Sequence, residues 1–273
     1  MSLREAWPHV RDCIVGIAPK FRTGQAAFPE LLGTGFFVSR FGVVCTCRHV
    51  VDAFADLEKP EDYKGHAAVA LAFHAAPAAN EWGMMVFEIK AIGHATVTGG
   101  LEHYLGPQPP DVSYLAVDVT ETPFLRIGDP PIVEGEEIGI GGFPDGTDLL
   151  RIPGWLHQLT PTLLSGVVSA VLPAHAHPTP HGFLAHAEVL PGSSGSPVFR
   201  PDGTVVGMVC ASNGDTSITI CASRHLLAGS LRGAEKAAEK LTGRRTMAER
   251  TAAAQPVRRI GDGLFEPWQP ERV

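Results

Sequence analysis

The chain has 273 residues, enough for one large β domain or two modest ones, each with a substantial core. With 44% hydrophobic and 19% charged residues, and no apolar run long enough to cross a bilayer, the composition is that of a soluble folded protein. A formal charge of −7 without a dense Lys/Arg block argues against nucleic acid or a membrane surface as the main partner.

The first residues, Met1 to Ile17, carry charges at both ends and no sustained apolar stretch ahead of a small-residue cleavage site, so they are not read as a secretion signal. Five cysteines at irregular spacings, with no C-x-x-C pair, give neither a disulfide framework nor a zinc or redox motif. A cytoplasmic location is expected. Cys13, Cys45, Cys210 and Cys221 are expected as small core hydrophobes, and Cys47 as a lining residue close to His49 without chemistry of its own.

Short apolar and β-branched runs between Gly/Pro-rich turns predict many short strands. Gly35 to Val38 and Val43 to Cys47 flank a turn at Ser39 to Gly42. Further strands are predicted at Ala67 to Phe73, Met85 to Ile92, Ser113 to Val117, Glu137 to Ile140, Gly166 to Val171, Phe183 to Val189, Val205 to Ala211 and Ser217 to Cys221. The stretch Glu121 to Glu134, with Pro123, Pro130 and Pro131, divides this all-β pattern into two halves. An apolar stripe at helical period through Leu226, Leu227, Leu231, Ala234, Ala237, Ala238 and Leu241 predicts a C-terminal helix. Beyond Thr242 the chain turns rich in Arg, Ala and Pro. A mobile tail is expected there, with Arg244, Arg245, Arg250, Arg258 and Arg259 solvated.

Amide hydrolysis near neutral pH needs a nucleophile, a base, a carboxylate to orient the base, and donors for the developing oxyanion. Pro191-Gly192-Ser193-Ser194-Gly195-Ser196-Pro197 places a serine in a small-residue turn whose amides can approach a substrate carbonyl. Thr46-Cys47-Arg48-His49-Val50-Val51 ends an early strand, and Asp111-Val112-Ser113-Tyr114-Leu115 enters a later one. These segments resemble the Ser, His and Asp boxes of trypsin-like serine peptidases, particularly the bacterial HtrA/Deg type. Gly33-Thr34-Gly35, Ile127 to Pro144 and Ser165-Gly166-Val167-Val168-Ser169 resemble further family segments, in the family's order.

The resemblance covers residues 10 to 225. It implies two six-stranded antiparallel Greek-key barrels, residues 10–120 and 121–222, followed by a helix at 223–242 and a tail at 243–273. It implies Ser194 as nucleophile, His49 as general base and Asp111 as its orienting carboxylate, with Gly192, Ser193 and Ser194 around the oxyanion. The substrate is then a protein or peptide, and no cofactor is expected. An α/β-hydrolase elbow does not fit, because Ser196 stands where its last glycine belongs.

The family pattern is not followed everywhere. Ser193 replaces the aspartate that binds a freed N-terminus in digestive proteases, so activation by that cleavage is not expected. Ser196 replaces a glycine, and no cost is expected from it. The long interval between His49 and Asp111 implies inserted loops around Ala75 to Trp82 and Thr98 to Pro110. Glu188 aligns with the base of the primary specificity pocket, where it selects Lys or Arg, or else faces solvent. Leu190 flanks the same segment, and Val209-Cys210-Ala211-Ser212 resembles the strand that pairs with substrate. Three other readings compete. Intact residues at all three triad positions argue against a non-catalytic binding module on the same fold. Intervening prolines and the lack of an H-E-x-x-H helix argue against a catalytic metal at His175, His177, His181 and His186, so no metal is expected. An effector protease whose tail docks on a regulatory partner is compatible with the triad.

Overall fold

In the computed structural model, residues 1–21, 31–75, 81–96, 109–145, 160–175, 177–213 and 216–258 are described. The inner parts of both predicted inserted loops, 76–80 and 97–108, and tail residues 259–273 lie outside them. Strands β1 (Ile14–Pro19), β2 (Gly33–Ser39), β3 (Val43–Thr46), β4 (Ala68–Ala75), β5 (Glu81–His94) and β6 (Ser113–Val117) pair antiparallel in the order β5-β4-β1-β2-β3-β6. The 14-residue β5 closes this sheet into a barrel. Its first half lies along β4 and its second half along β6, with a register shift between Ile89 and Ala91.

A short strand, β7 (Val119–Thr120), leads out of the first barrel. The second barrel closes in the order β10-β13-β12-β11-β8-β9, from β8 (Glu137–Gly142), β9 (Thr162–Leu172), β10 (Gly182–His186), β11 (Pro197–Phe199), β12 (Val205–Asn213) and β13 (Ile218–Ser223). Alternation sets its core. Phe183, Ala185, Ala187 and Val189 point inward, while His186, Glu188 and Leu190 face out. Each fully buried aliphatic or aromatic side chain contributes about 1.5–3 kcal/mol. The two six-stranded antiparallel barrels expected from the sequence are therefore present.

Both ends of the described chain cross over. Helix α1 (Leu3–Asp12) opens on a capping box, in which Ser2 Oγ accepts from the Glu5 amide and Glu5 returns a bond to the Ser2 amide. Its Trp7 stacks on Phe199 of the second barrel at 6.5 Å. After α2 (Arg48–Ala55) in the first barrel, the next two helices follow the second barrel. They are α3 (Arg224–Gly229) and α4 (Leu231–Glu239), split at Ser230. Helix α3 packs on β12 and β13, while α4 returns to β6, β5 and β3. Strand β14 (Arg245–Thr246) then pairs parallel with β7, α5 (Met247–Ala252) follows, and β15 (Gln255–Arg258) adds antiparallel to β5.

The segment after Thr242, expected as a mobile tail, is thus packed on the first barrel over its described residues, to Arg258. The reason lies in Arg244 and Arg250, expected as solvated charge. Arg244 donates to Phe41 O at 2.5 Å, and Arg250 pairs with the largely buried carboxylate of Asp118. No helix among the described residues is long and apolar enough to cross a membrane.

Candidate active site

The three sequence boxes meet at the seam between the barrels. β3 delivers Cys47 as N-cap of α2, and His49 follows in the first turn of that helix. Asp111 stands two residues before β6, which pairs with β3. That pairing brings the carboxylate against the imidazole: Asp111 Oδ2 lies 2.8 Å from His49 Nδ1, and Oδ1 accepts from the His49 amide at 2.9 Å. Two bonds to one carboxylate fix both the position and the tilt of the ring.

The electrostatics follow. The bond to Asp111 raises the His49 pKa, and this outweighs the opposing effect of burial. Burial pushes the Asp111 carboxyl up, but the bonds from the His49 ring and amide win and hold it below its ordinary value. The dyad is half-open to solvent, with side-chain exposures of 51% and 35%.

Two consecutive type II turns, sharing Ser193, set the position of Ser194, which lies in the second. Ser193 N donates to Leu190 O at 3.1 Å across Pro191-Gly192, and Ser196 N donates to Ser193 O at 2.9 Å across Ser194-Gly195. Each turn needs a positive φ at its third residue, met by Gly192 (φ 88) and Gly195 (φ 90). Of the three residues expected around the oxyanion, Ser193 uses its amide inside the first turn. The amides of Gly192 and Ser194 have no acceptor among the described residues.

The turns are pinned to the seam from both barrels. Gly195 N and Cys47 Sγ share one acceptor, Val209 O, at 2.9 and 3.1 Å, so the serine box and the histidine box meet on a single carbonyl of β12. Thr34 was quoted as part of a strand motif, but its role was missed. Its amide donates to Ser194 O at 2.8 Å, its Oγ1 donates to Gly192 O at 2.8 Å, and the same Oγ1 accepts from Phe143 N at 3.1 Å. A small hydroxyl residue between two glycines was the available signal.

The remaining predicted residues flank this centre. Cys210 sits at a register shift of β12, with Sγ 3.9 Å from Asp111 O. Ala211 and Ser212 are exposed beyond it. Glu188 is exposed on the outward face of its segment, and Leu190 beside it is 37% exposed. The four loop histidines are dispersed: His175 is exposed near Glu134, His186 faces out from β10, and the His177 and His181 rings lie 5.9 Å apart. Ser196 differs from expectation, because its Oγ is buried without a partner among the described residues. Such a group costs about 1–3 kcal/mol.

Two closed antiparallel barrels with a His–Asp pair and a serine turn at their seam define the architecture of a serine peptidase. A model of the trypsin-like peptidase domain matches residues 33–208, and the chain belongs to that family: it is a serine endopeptidase. Among curated proteins, no sequence matches it. The serine endoprotease from Yersinia pestis superposes with a TM-score of 0.54 and 17% identity, over 89% of this chain and 68% of that one. The active form of the Rv3671c protease from M. tuberculosis superposes with a TM-score of 0.51 and 19% identity, over 83% and 82%. At these identities the likeness is one of fold.

Proposed function

We propose that this enzyme hydrolyses peptide bonds through a triad of His49, Asp111 and Ser194. The observation that carries the reading is the doubly bonded His49–Asp111 pair, set at the same seam as the Ser194 turn. Ser194 Oγ attacks the substrate carbonyl while His49 Nε2 takes its proton, and Asp111 holds the proton on Nδ1 and stabilises the imidazolium. The amides of Gly192 and Ser194 receive the oxyanion, after which His49 returns the proton to the leaving amine.

The edge Val209 to Ser212 takes the substrate backbone, with Cys210 at its bend. The exposure of Glu188 favours small or medium apolar residues before the scissile bond over Lys or Arg. Residues 10–120 and 121–222 form the two halves of the cleft. The enzyme acts in the cytoplasm, and its C-terminal tail, residues 243–273, docks on a regulatory partner.

Ser194→Ala and His49→Ala should each lower kcat by roughly 10⁶-fold without unfolding the protein, and Asp111→Asn by about 10⁴-fold. A fluorophosphonate should label the wild type once, at Ser194. Undiminished turnover in pure Ser194→Ala protein, or an adduct mapped elsewhere, rejects the triad.

A further inference from the structure

Beside the imidazole lies a cluster of sulfur that peptide hydrolysis does not use. Along the seam, Cys45 Sγ is 3.9 Å from Met208 Sδ, Cys47 Sγ is 3.1 Å from Val209 O, and Cys210 Sγ is 3.9 Å from Asp111 O. One of these thiols converges on the dyad. A donor atom from each of Cys47, His49 and Asp111 lies within 4.8 Å of the other two. Among the described residues no other group of three His, Cys, Asp or Glu side chains does so.

We propose that Cys47, His49 and Asp111 form a binding site for Zn²⁺, and that its occupation switches hydrolysis off. Thiolate, imidazole and carboxylate are all ligands that Zn²⁺ accepts, whereas Mg²⁺ and Ca²⁺ demand oxygen alone. At bonds of about 2.0–2.3 Å, tetrahedral ligands sit roughly 3.3–3.8 Å apart. The 2.8 Å Nδ1–Oδ2 pair therefore opens by about 0.5–1 Å to admit the ion. The half-exposed side of His49 gives access and lets water fill the fourth position.

The proton balance explains the inhibition. Cys47 releases its thiol proton to solvent and gives up its contact with Val209 O, because a bound thiol ionises outright. Asp111 enters as the anion, so two negative ligands neutralise the dication. His49 can bind through Nδ1 only if the proton there moves to Nε2. That nitrogen then donates where it must accept from Ser194, and the general base is lost. The inhibitory consequence rests on the triad reading; binding of the metal does not.

The test uses Co²⁺, which takes the same donors and reports a bound thiolate by charge-transfer absorption, beside Zn²⁺ in a peptide assay. The wild type should bind one Co²⁺ per chain with a thiolate band. It should also lose roughly tenfold or more of its rate at stoichiometric Zn²⁺, restored by a chelator. Cys47→Ala, with its rate at each Zn²⁺ level divided by its own metal-free rate, should lose both effects; if it fails to fold, Cys47→Ser serves in its place. No thiolate band at saturating Co²⁺, or equal Zn²⁺ inhibition in the variant, overturns the proposal. A Co²⁺ band in wild-type protein that cleaves no peptide, even free of metal, upholds the metal site and rejects the triad instead.

Discussion

Thr34 ties the serine turn to the opposite barrel through both its amide and its hydroxyl. Thr34→Val keeps the shape and the amide bond but strands Gly192 O and Phe143 N, at a cost of about 1–3 kcal/mol. Because one of these bonds holds the Gly192 carbonyl, and with it the turn that carries the Gly192 amide, kcat should fall by roughly tenfold or more while KM changes little, a split that steady-state kinetics will expose. Ser196→Ala removes a buried hydroxyl that has no partner among the described residues, and should hold or raise stability by up to about 1 kcal/mol in urea unfolding. A marked loss would mean the hydroxyl is satisfied. The pH dependence follows from Asp111, which holds the His49 proton more tightly than usual. The neutral base should be reached only above about pH 6.5, and in the residual activity of Asp111→Asn the rise should move to lower pH. For stability the signs oppose: the His49 contribution is lost as pH rises through its raised pKa, and that of Asp111 as pH falls through its lowered one. The candidates for catalysis could be named from the sequence because each sits in a short motif that needs its type. The pinning role of Thr34 could not, since its partners Gly192 and Phe143 lie more than a hundred residues away, and neither could the isolation of Ser196, which depends on how the turn packs.

At the scale of elements, strand runs were readable wherever inward and outward positions alternate, as in β10, or where both faces are covered, as in the wholly buried β2. Helix α1 was missed although Ser2 and Glu5 carry the capping-box spacing, because its sequence has mean hydropathy below zero and an internal Pro8. The C-terminal stripe was legible, but its break at Ser230 was not. The arginines after Thr242 read as solvated because composition cannot reveal a buried acceptor on the other side of the chain. Arg250 has one in Asp118, whose side chain is 12% exposed. Arg250→Ala leaves that carboxylate largely buried without a counter-charge, held only by the Glu88 amide among the described residues, and should cost about 3 kcal/mol. Asp118→Asn on top of it should recover part of the loss. A thermal-unfolding cycle of the two single variants and the double variant measures this, and simple additivity would show that the pair is not coupled.

For the whole molecule, the two-barrel division was visible in the sequence, while the crossing of its ends was not, since no local pattern encodes which barrel a terminal element will choose. Helix α1 begins the first half and rests on Phe199 of the second, while β14 and β15 follow the second half and extend the first. A cut in the exposed turn at Val133 to Glu136, at an inserted cleavage site, would leave each fragment holding an element that covers its neighbour's surface. The fragments should co-elute in size-exclusion chromatography and retain fluorophosphonate labelling. Elution as two separate species would show that the crossing elements are ornamental. The covalent link between the barrels is then the dispensable connection: severed, the enzyme would persist as a heterodimer whose partners have each lent the other a piece of themselves.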